Sequence, residues 1–450
     1  MIASSDLIGA AMIGGAFVAL LVAAEVWARL AAPPAERTRK LVHIGGAAIS
    51  IFLPLLVDSP LVALGLTASL AAFFFIASHG DVLRSLNRVN RSSRGSEYYP
   101  IAIFLLFVLA YGDYWRYLAS LLVLGIADAF AALVGGEYGR IRYRIEEGTK
   151  SLEGSLVFFI VAFLAIHLPT LLLTTLPRPV TVLAALLVAI IVTGFEAISL
   201  RGADNLFVPI AVCVILAKIT TKPLPEIVFQ NLSLIALCIV IGIAAWKTTM
   251  FDTGGTLTLV LFVYGLWSLG TPRWALPVLV GTAMLLAIHG RRRRRRRFGV
   301  RAVARTCIPL FAILAVANAW GSGDFWFAPY LAATTVLIAL GSIPSATDDV
   351  DPLPRIPRVA ASFATAVVIL AISFLFALQK IPEALIATAI VAAVTIIIGE
   401  ALRGWRSREM VLGSFLPAIL ALAAAMTVAL AQAEGMVPVW PVESGSSFVG

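Results

Sequence analysis

The chain has 450 residues, of which 60% are hydrophobic and 13% charged, with a formal net charge of +9. A water-soluble globular domain cannot cover that much apolar surface, so a soluble fold is excluded. The positive balance is read as membrane orientation and attraction to anionic membrane lipids, not as nucleic-acid binding, because its bases gather in short segments between apolar runs.

Those runs begin at about Leu7 to Leu30 and recur almost to the C-terminus. They predict an all-α fold, a polytopic transmembrane helical bundle of about 16 spans with the N-terminus outside. The first run lacks a basic leader and a small-residue cleavage site, so it reads as a span and not a removable signal. With alternating spans, the inside loops fall at about 32–40, 79–97, 136–153, 199–204, 247–255, 290–302, 344–358 and 400–410. Of the 34 lysines and arginines, only Arg116, Arg178, Lys218, Lys222, Arg273 and Lys380 then lie on the other side. That sorting fixes the expected orientation, and a bacterial plasma membrane is the expected location. The 3 cysteines, Cys213, Cys238 and Cys307, lie far apart in or beside apolar runs and read as packing thiols.

Two regions differ in texture. Residues 1–246 hold nearly all the polar groups found at span borders and are expected to be a catalytic transmembrane domain. Residues 247–450 form a second helical domain, more uniformly alanine, leucine and valine, and are expected to be non-catalytic. The run Arg291 to Arg297 reads as a topological anchor on anionic lipid. The acidic, proline-bearing loop 344–358 reads as a solvated connection.

Four inside segments of the first region carry chemistry-bearing residues. In the first, Arg37, Arg39 and Lys40 precede His43, Gly45 and Gly46 at the start of a span. Snorkelling bases and a packed histidine are the plainer use, but an ionisable residue inside a span is a functional candidate. In the second, Asp128 stands two turns inside a small-residue helix, followed by Gly135, Gly136 and Gly139. A carboxylate there costs about 2.5–3.5 kcal/mol on insertion scales and needs a metal ion or a base. The glycines allow a sharp turn or close backbone approach to a ligand.

The third segment is Gly148-Thr149-Lys150-Ser151-Leu152-Glu153-Gly154-Ser155. Lys150 offers a point charge for phosphate, and Ser151 and Ser155 offer hydroxyls near a helix N-terminus. Glu153 either holds a metal or caps the helix. It is not a P-loop, whose glycine must sit next to the lysine. The fourth runs from Glu196 through Ser199 and Gly202 to Asp204, Asn205 and Pro209, with a helix cap as the plainer role of Asp204 or Asn205. Carboxylates, lysine, histidine and glycine turns gathered on one membrane face fit Mg²⁺-assisted phosphoryl transfer.

In order and spacing these segments resemble the CTP-dependent polyprenol kinases, the family of phytol, farnesol and dolichol kinases. The resemblance runs over about residues 20–220 and is carried by Arg39-Lys40 with His43 and Gly46, Asp128 with Ala131, Gly135 and Gly139, Lys150-Ser151-Leu152-Glu153-Gly154-Ser155, and Glu196, Ser199, Gly202, Asp204, Asn205 and Pro209. Gly95 to Pro100 is similar to the family's lead-in loop. The resemblance implies CTP as phosphoryl donor, Mg²⁺ as cofactor and a prenyl or other lipid alcohol as acceptor. It implies Asp128 and Asp204 as metal ligands, assisted by Glu153 or Glu196, and Lys150 with Arg39 or Lys40 as phosphate neutralisers. Gly135, Gly139, Ser151, Ser155 and Asn205 would line the nucleotide site, and His43 or a carboxylate would take the alcohol proton.

The second region resembles membrane proteins related to phytyl-phosphate kinases, through Asp252-Thr253-Gly254-Gly255 and the span to Trp274. It departs from them at Ala332 to Ala339, which carries no carboxylate. Other readings stand beside the kinase. A CTP-dependent diacylglycerol kinase shares its motifs. A phosphatidate cytidylyltransferase would bring paired Lys-Arg and Lys-Asp signatures that the chain lacks. A transporter would place its polar groups near mid-membrane.

Overall fold

Once an apolar run leaves water, its backbone N–H and C=O groups have only each other to bond, and a helix satisfies them all. The computed structural model describes residues 3–31, 33, 35–79, 95–145, 148–199, 202–248, 250–289, 298–341, 355–376, 382–402 and 412–439. The run Arg291 to Arg297 and most of the 344–358 loop lie outside the described residues. Among the described residues, ten helices are long and apolar enough to cross a membrane and five further apolar helices have 10–17 residues, which supports a membrane bundle without fixing the expected count of about sixteen spans.

Two compact units divide the chain, Met1–Ser233 and Leu234–Gly450. The first holds α1 (Ser4–Leu30), α2 (Ala35–Ser50), the short α3 (Leu53–Leu56), α4 (Pro60–His79), α5 (Gly95–Leu109) and α6 (Tyr114–Leu122). A π turn, Val123–Ala127, joins α6 directly to α7 (Asp128–Tyr138). After the strands β1 (Arg142–Ile145) and β2 (Gly148–Ser151) come α8 (Leu152–Leu173), α9 (Arg178–Ile198) and α10 (Asp204–Ile219). Helix α11 (Leu224–Thr248) contains the division between the units. The antiparallel hairpin β1–β2 is a departure from the expected all-helical chain.

Helix α1 shows how the unit meets its surroundings. Ile13, Phe17, Leu21 and Ala24 recur at helical spacing and are buried, while Leu7, Ile8, Val18 and Val22 on the opposite side are exposed. Both sides are apolar, as a helix between a protein core and hydrocarbon must be. Ile13 and Phe17 pack with Leu53, Tyr99, Leu106, Tyr117 and Leu124 into one core, and Leu21 and Ala24 pack with Val42 and Phe74 into another.

Helix α2 runs antiparallel to the broken α6–π–α7 helix, in a register that four contacts define. Lys40 meets Asp128, and His43 meets the Leu124 carbonyl. Ala47 lies against Gly125, and the Tyr117 hydroxyl donates to the Ser50 carbonyl at 2.8 Å. A side chain on Gly125 would place its Cβ 2.4 Å from that of Ala47. Gly125→Val is therefore expected to destabilise the chain by about 1–3 kcal/mol, read as a lower Tm of the purified protein. An unchanged Tm would contradict this register.

The second unit contains α12 (Thr253–Leu269), α13 (Pro272–His289), α14 (Val300–Ala319), α15 (Gly323–Gly341), α16 (Arg355–Phe376), α17 (Pro382–Ala401) and α18 (Leu412–Ala433). Helix α15 is central, with Ala332 to Ala339 buried and its neighbours α13, α14, α16, α17 and α18 around it. The carboxylate-free stretch of the sequence is thus the packing core of this unit. Asp252 caps α12, its Oδ1 accepting from the Gly255 amide at 2.6 Å.

Candidate active site

Helices α2, α7, α8, α9 and α10 bring polar residues together at one end of the first unit. On α2, Lys40 and His43 are one turn apart and face the same way, with Leu41 and Ile44 turned outward. Lys40 is 4% exposed, and its Nζ lies 2.5 Å from Asp128 Oδ2 and 3.3 Å from the Asp128 carbonyl. Lys40 is thus the base that a carboxylate two turns inside an apolar helix requires. Arg39 is close enough for its charge to act on Asp128 and His43.

His43 is held by the π turn. Its Nε2 lies 2.8 Å from the Leu124 carbonyl and 3.7 Å from Asp128 Oδ2, and its ring packs against Tyr99 at 5.3 Å between centroids. A carbonyl only accepts, so Nε2 carries the hydrogen and Nδ1 is the ring atom left to take a proton. The π turn carries that carbonyl, a local irregularity of the kind found at working sites.

The hairpin supplies the second ion pair. Strand pairing sets Tyr143 opposite Lys150, and burial alternates so that Tyr143 and Lys150 are half-buried while Arg142, Arg144 and Thr149 are exposed. Lys150 Nζ reaches Glu196 Oε1 at 2.5 Å and also bonds the Glu196 carbonyl at the end of α9. Burial alone would lower the Lys150 pKa. The carboxylates of Glu196 and Asp204 outweigh it and raise the ammonium above its ordinary value, so it stays charged. Glu196 in turn lies within electrostatic reach of both Asp128 and Asp204, which makes the two ion pairs neighbours.

Several candidate residues have structural partners here. Ser151 caps α8, its Oγ accepting from the Gly154 amide at 3.1 Å and donating to the Gly135 carbonyl at 3.4 Å. A Cβ on Gly135 would lie 2.9 Å from Ser151 Oγ, and one on Gly139 would lie 2.6 Å from Ser151 Cβ. The glycines therefore let α7 close onto the start of α8. Glu153 is engaged by backbone: its Oε1 accepts from the Arg140 and Ile141 amides at 3.0 and 3.1 Å. This ties the entry of β1 to the first turn of α8. Replacing Glu153 with alanine is expected to accelerate hydrogen exchange at those two amides; exchange as slow as in the parent would contradict the tie.

The loop into α10 turns at Gly202, whose φ of +80° favours glycine. There Ser199 Oγ accepts from the Asp204 amide at 2.9 Å, and Asp204 Oδ1 accepts from the Asn205 amide at 3.1 Å. Asn205 is buried. Ser155 Oγ lies 2.7 Å from the Tyr143 hydroxyl. Tyr143 and Tyr99 are the neighbours that sequence reasoning did not single out. Tyr143 lies in the strand Arg142-Tyr143-Arg144-Ile145, directly opposite Lys150.

The carboxylates suit Mg²⁺ in the way nucleotide enzymes hold it, with one or two protein oxygens completed by phosphate and water. Lys40 and His43 both address Asp128 through Oδ2. Asp204 bonds one backbone amide through Oδ1. No group of three or more His, Cys, Asp or Glu is placed to enclose a metal ion among the described residues, so phosphate would complete any such site.

The chain is 33% identical over 200 residues to the phytol kinase of Synechocystis sp., an alignment covering 43% of this chain and 83% of that relative. No family model matches the chain. No solved structure matches it either.

Proposed function

From the premise that this chain belongs to the phytol kinase family, we propose that it transfers the γ-phosphoryl group of CTP to a prenyl alcohol at the cytoplasmic membrane face. The observation that carries the reading is the meeting of Lys40, His43 and Asp128 with Lys150, Glu196 and Asp204 at one end of a membrane bundle. A long isoprenoid tail stays in hydrocarbon while its hydroxyl reaches that end. Phytol, farnesol, geranylgeraniol and dolichol are the acceptors of this class.

In the proposed reaction the alcohol oxygen bonds to the γ-phosphorus. The bond from that phosphorus to the β,γ-bridging oxygen breaks, CDP leaves, and the hydroxyl proton passes to a base. His43 Nδ1 is that base, because Nε2 is committed to Leu124 and the carboxylates of Asp128 and Glu196 are held by lysines. Asp128 Oδ2, 3.7 Å from Nε2, stabilises the imidazolium that forms. Lys150, with Arg39 nearby, neutralises the phosphate oxygens as charge moves onto CDP. When bound by Asp128 and Asp204, Mg²⁺ would add charge neutralisation on the transferring group. The second unit takes no part in this chemistry and serves as a lipid-binding or scaffolding partner.

Membranes containing the chain, supplied with γ-labelled CTP or ATP and a panel of phytol, farnesol, dolichol and diacylglycerol, test the assignment. Label in a prenyl monophosphate, with CTP preferred, is the expected result. Label confined to phosphatidate would replace the prenol reading with a diacylglycerol kinase.

A further inference from the structure

The hairpin β1–β2 carries more than Lys150. Tyr143 stands directly across from Lys150, so the two side chains share the inner face of the strand pair. The Tyr143 hydroxyl lies 2.7 Å from Ser155 Oγ in the first turn of α8, and the charges of Glu196 and Lys150 both act on it. Burial, the largest influence, raises its pKa, so the hydroxyl keeps its proton at neutral pH.

A count of donors shows what this face lacks. Two hydroxyls bonded to each other use one hydrogen and leave one to give. Lys150 has three N–H donors, and its bonds go to the carbonyl and the carboxylate of Glu196. Among the described residues, one ammonium hydrogen and one hydroxyl hydrogen therefore remain on a half-buried face. Next to them, the first amides of α8 give the helix N-terminus its partial positive charge. Donors without acceptors beside a fixed cation suit an oxyanion of high charge.

We propose that Tyr143 is a nucleotide-binding residue of this site, its hydroxyl acting with Ser155 and Lys150 to hold the triphosphate of the donor. The proposal rests on the kinase reading above and adds a contact on which donor affinity depends while acceptor affinity does not. Ser155 orients the phenol, and strand pairing fixes the ring.

The test uses the full-length chain in detergent or membranes and Tyr143→Phe, which keeps the ring and the strand while removing the hydroxyl. The KM for CTP is expected to rise about tenfold, as for loss of one hydrogen bond to a charged group, with the KM for phytol unchanged. Ser155→Ala should raise the CTP KM similarly, and the double variant should be no worse than the more affected single one, because the hydroxyls act as a unit. Unchanged kinetics in Tyr143→Phe, or equal changes in the KM of both substrates, would overturn the proposal.

Equilibrium binding of labelled CTP to parent and variant separates this proposal from the kinase reading. If the parent binds CTP yet phosphorylates no lipid, the kinase reading fails, while weaker binding by Tyr143→Phe still supports the contact. A parent that binds no nucleotide, or a variant that binds as tightly as the parent, removes it.

Discussion

Asp128→Asn is expected to lower lipid phosphorylation by about 10²–10³-fold or more while the protein still inserts in the membrane. The amide matches the carboxylate in shape and can still accept from Lys40, but it carries no charge. Two functions go with the charge: the ligand proposed for Mg²⁺ and the group that stabilises protonated His43. Lys40, 4% exposed, is then left without its counter-charge. Breaking a buried ion pair by removing one partner costs about 3–5 kcal/mol, so a lower Tm is also expected. The double variant Asp128→Asn/Lys40→Met separates the effects, because it removes the stranded charge without restoring the carboxylate. Recovery of Tm without recovery of activity supports a chemical role for Asp128. Full activity in Asp128→Asn would remove the central residue of the site.

Lys150→Met is expected to have the second largest effect, a fall of about 10²–10³-fold in kcat/KM, because in the proposed reaction this charge would meet the phosphate where negative charge develops. Lys150→Arg is not expected to rescue it. The wider, planar guanidinium cannot reproduce the point contact with both the carbonyl and the carboxylate of Glu196. The raised Lys150 pKa has a consequence for pH dependence. Its ammonium remains charged past the ordinary lysine value of 10.5, so donor affinity is not lost through this group on the mildly alkaline side of neutrality. Activity of Lys150→Met within severalfold of the parent would contradict the assignment.

The polar segments at Arg39–His43, Asp128, Lys150–Ser155 and Glu196–Asn205 are legible in sequence because a bilayer penalises charge. Residues kept near apolar spans against that penalty stand out without any structure. What each one touches is not legible. Asp128 needs a partner, but that Lys40, 88 positions away, supplies it depends on the antiparallel register of α2, set in part by Gly125 against Ala47. The π turn is equally hidden, since Val123 to Ala127 reads as ordinary apolar helix, yet it carries the carbonyl that fixes the tautomer of His43.

The strands β1 and β2 are only four residues each, too short for alternation to distinguish them from a loop. That brevity hides both Tyr143 and its register with Lys150. Local spacing gives Glu153 two uses, metal ligand or cap, and in the fold its carboxylate meets the Arg140 and Ile141 amides. Gly135 and Gly139 suggest close approach, and in the fold the approaching group is Ser151. Span number is ambiguous for a related reason. Helices of 10–17 apolar residues such as Gly95–Leu109 follow the same hydropathy as longer ones, and only their packing decides how far they cross.

The most direct test of the account is phosphoryl transfer by the purified, reconstituted chain given γ-labelled CTP, Mg²⁺ and phytol. The expected product is labelled phytyl monophosphate, formed in proportion to CDP and absent in Asp128→Asn. A folded chain that binds CTP and phytol yet labels no lipid would contradict it.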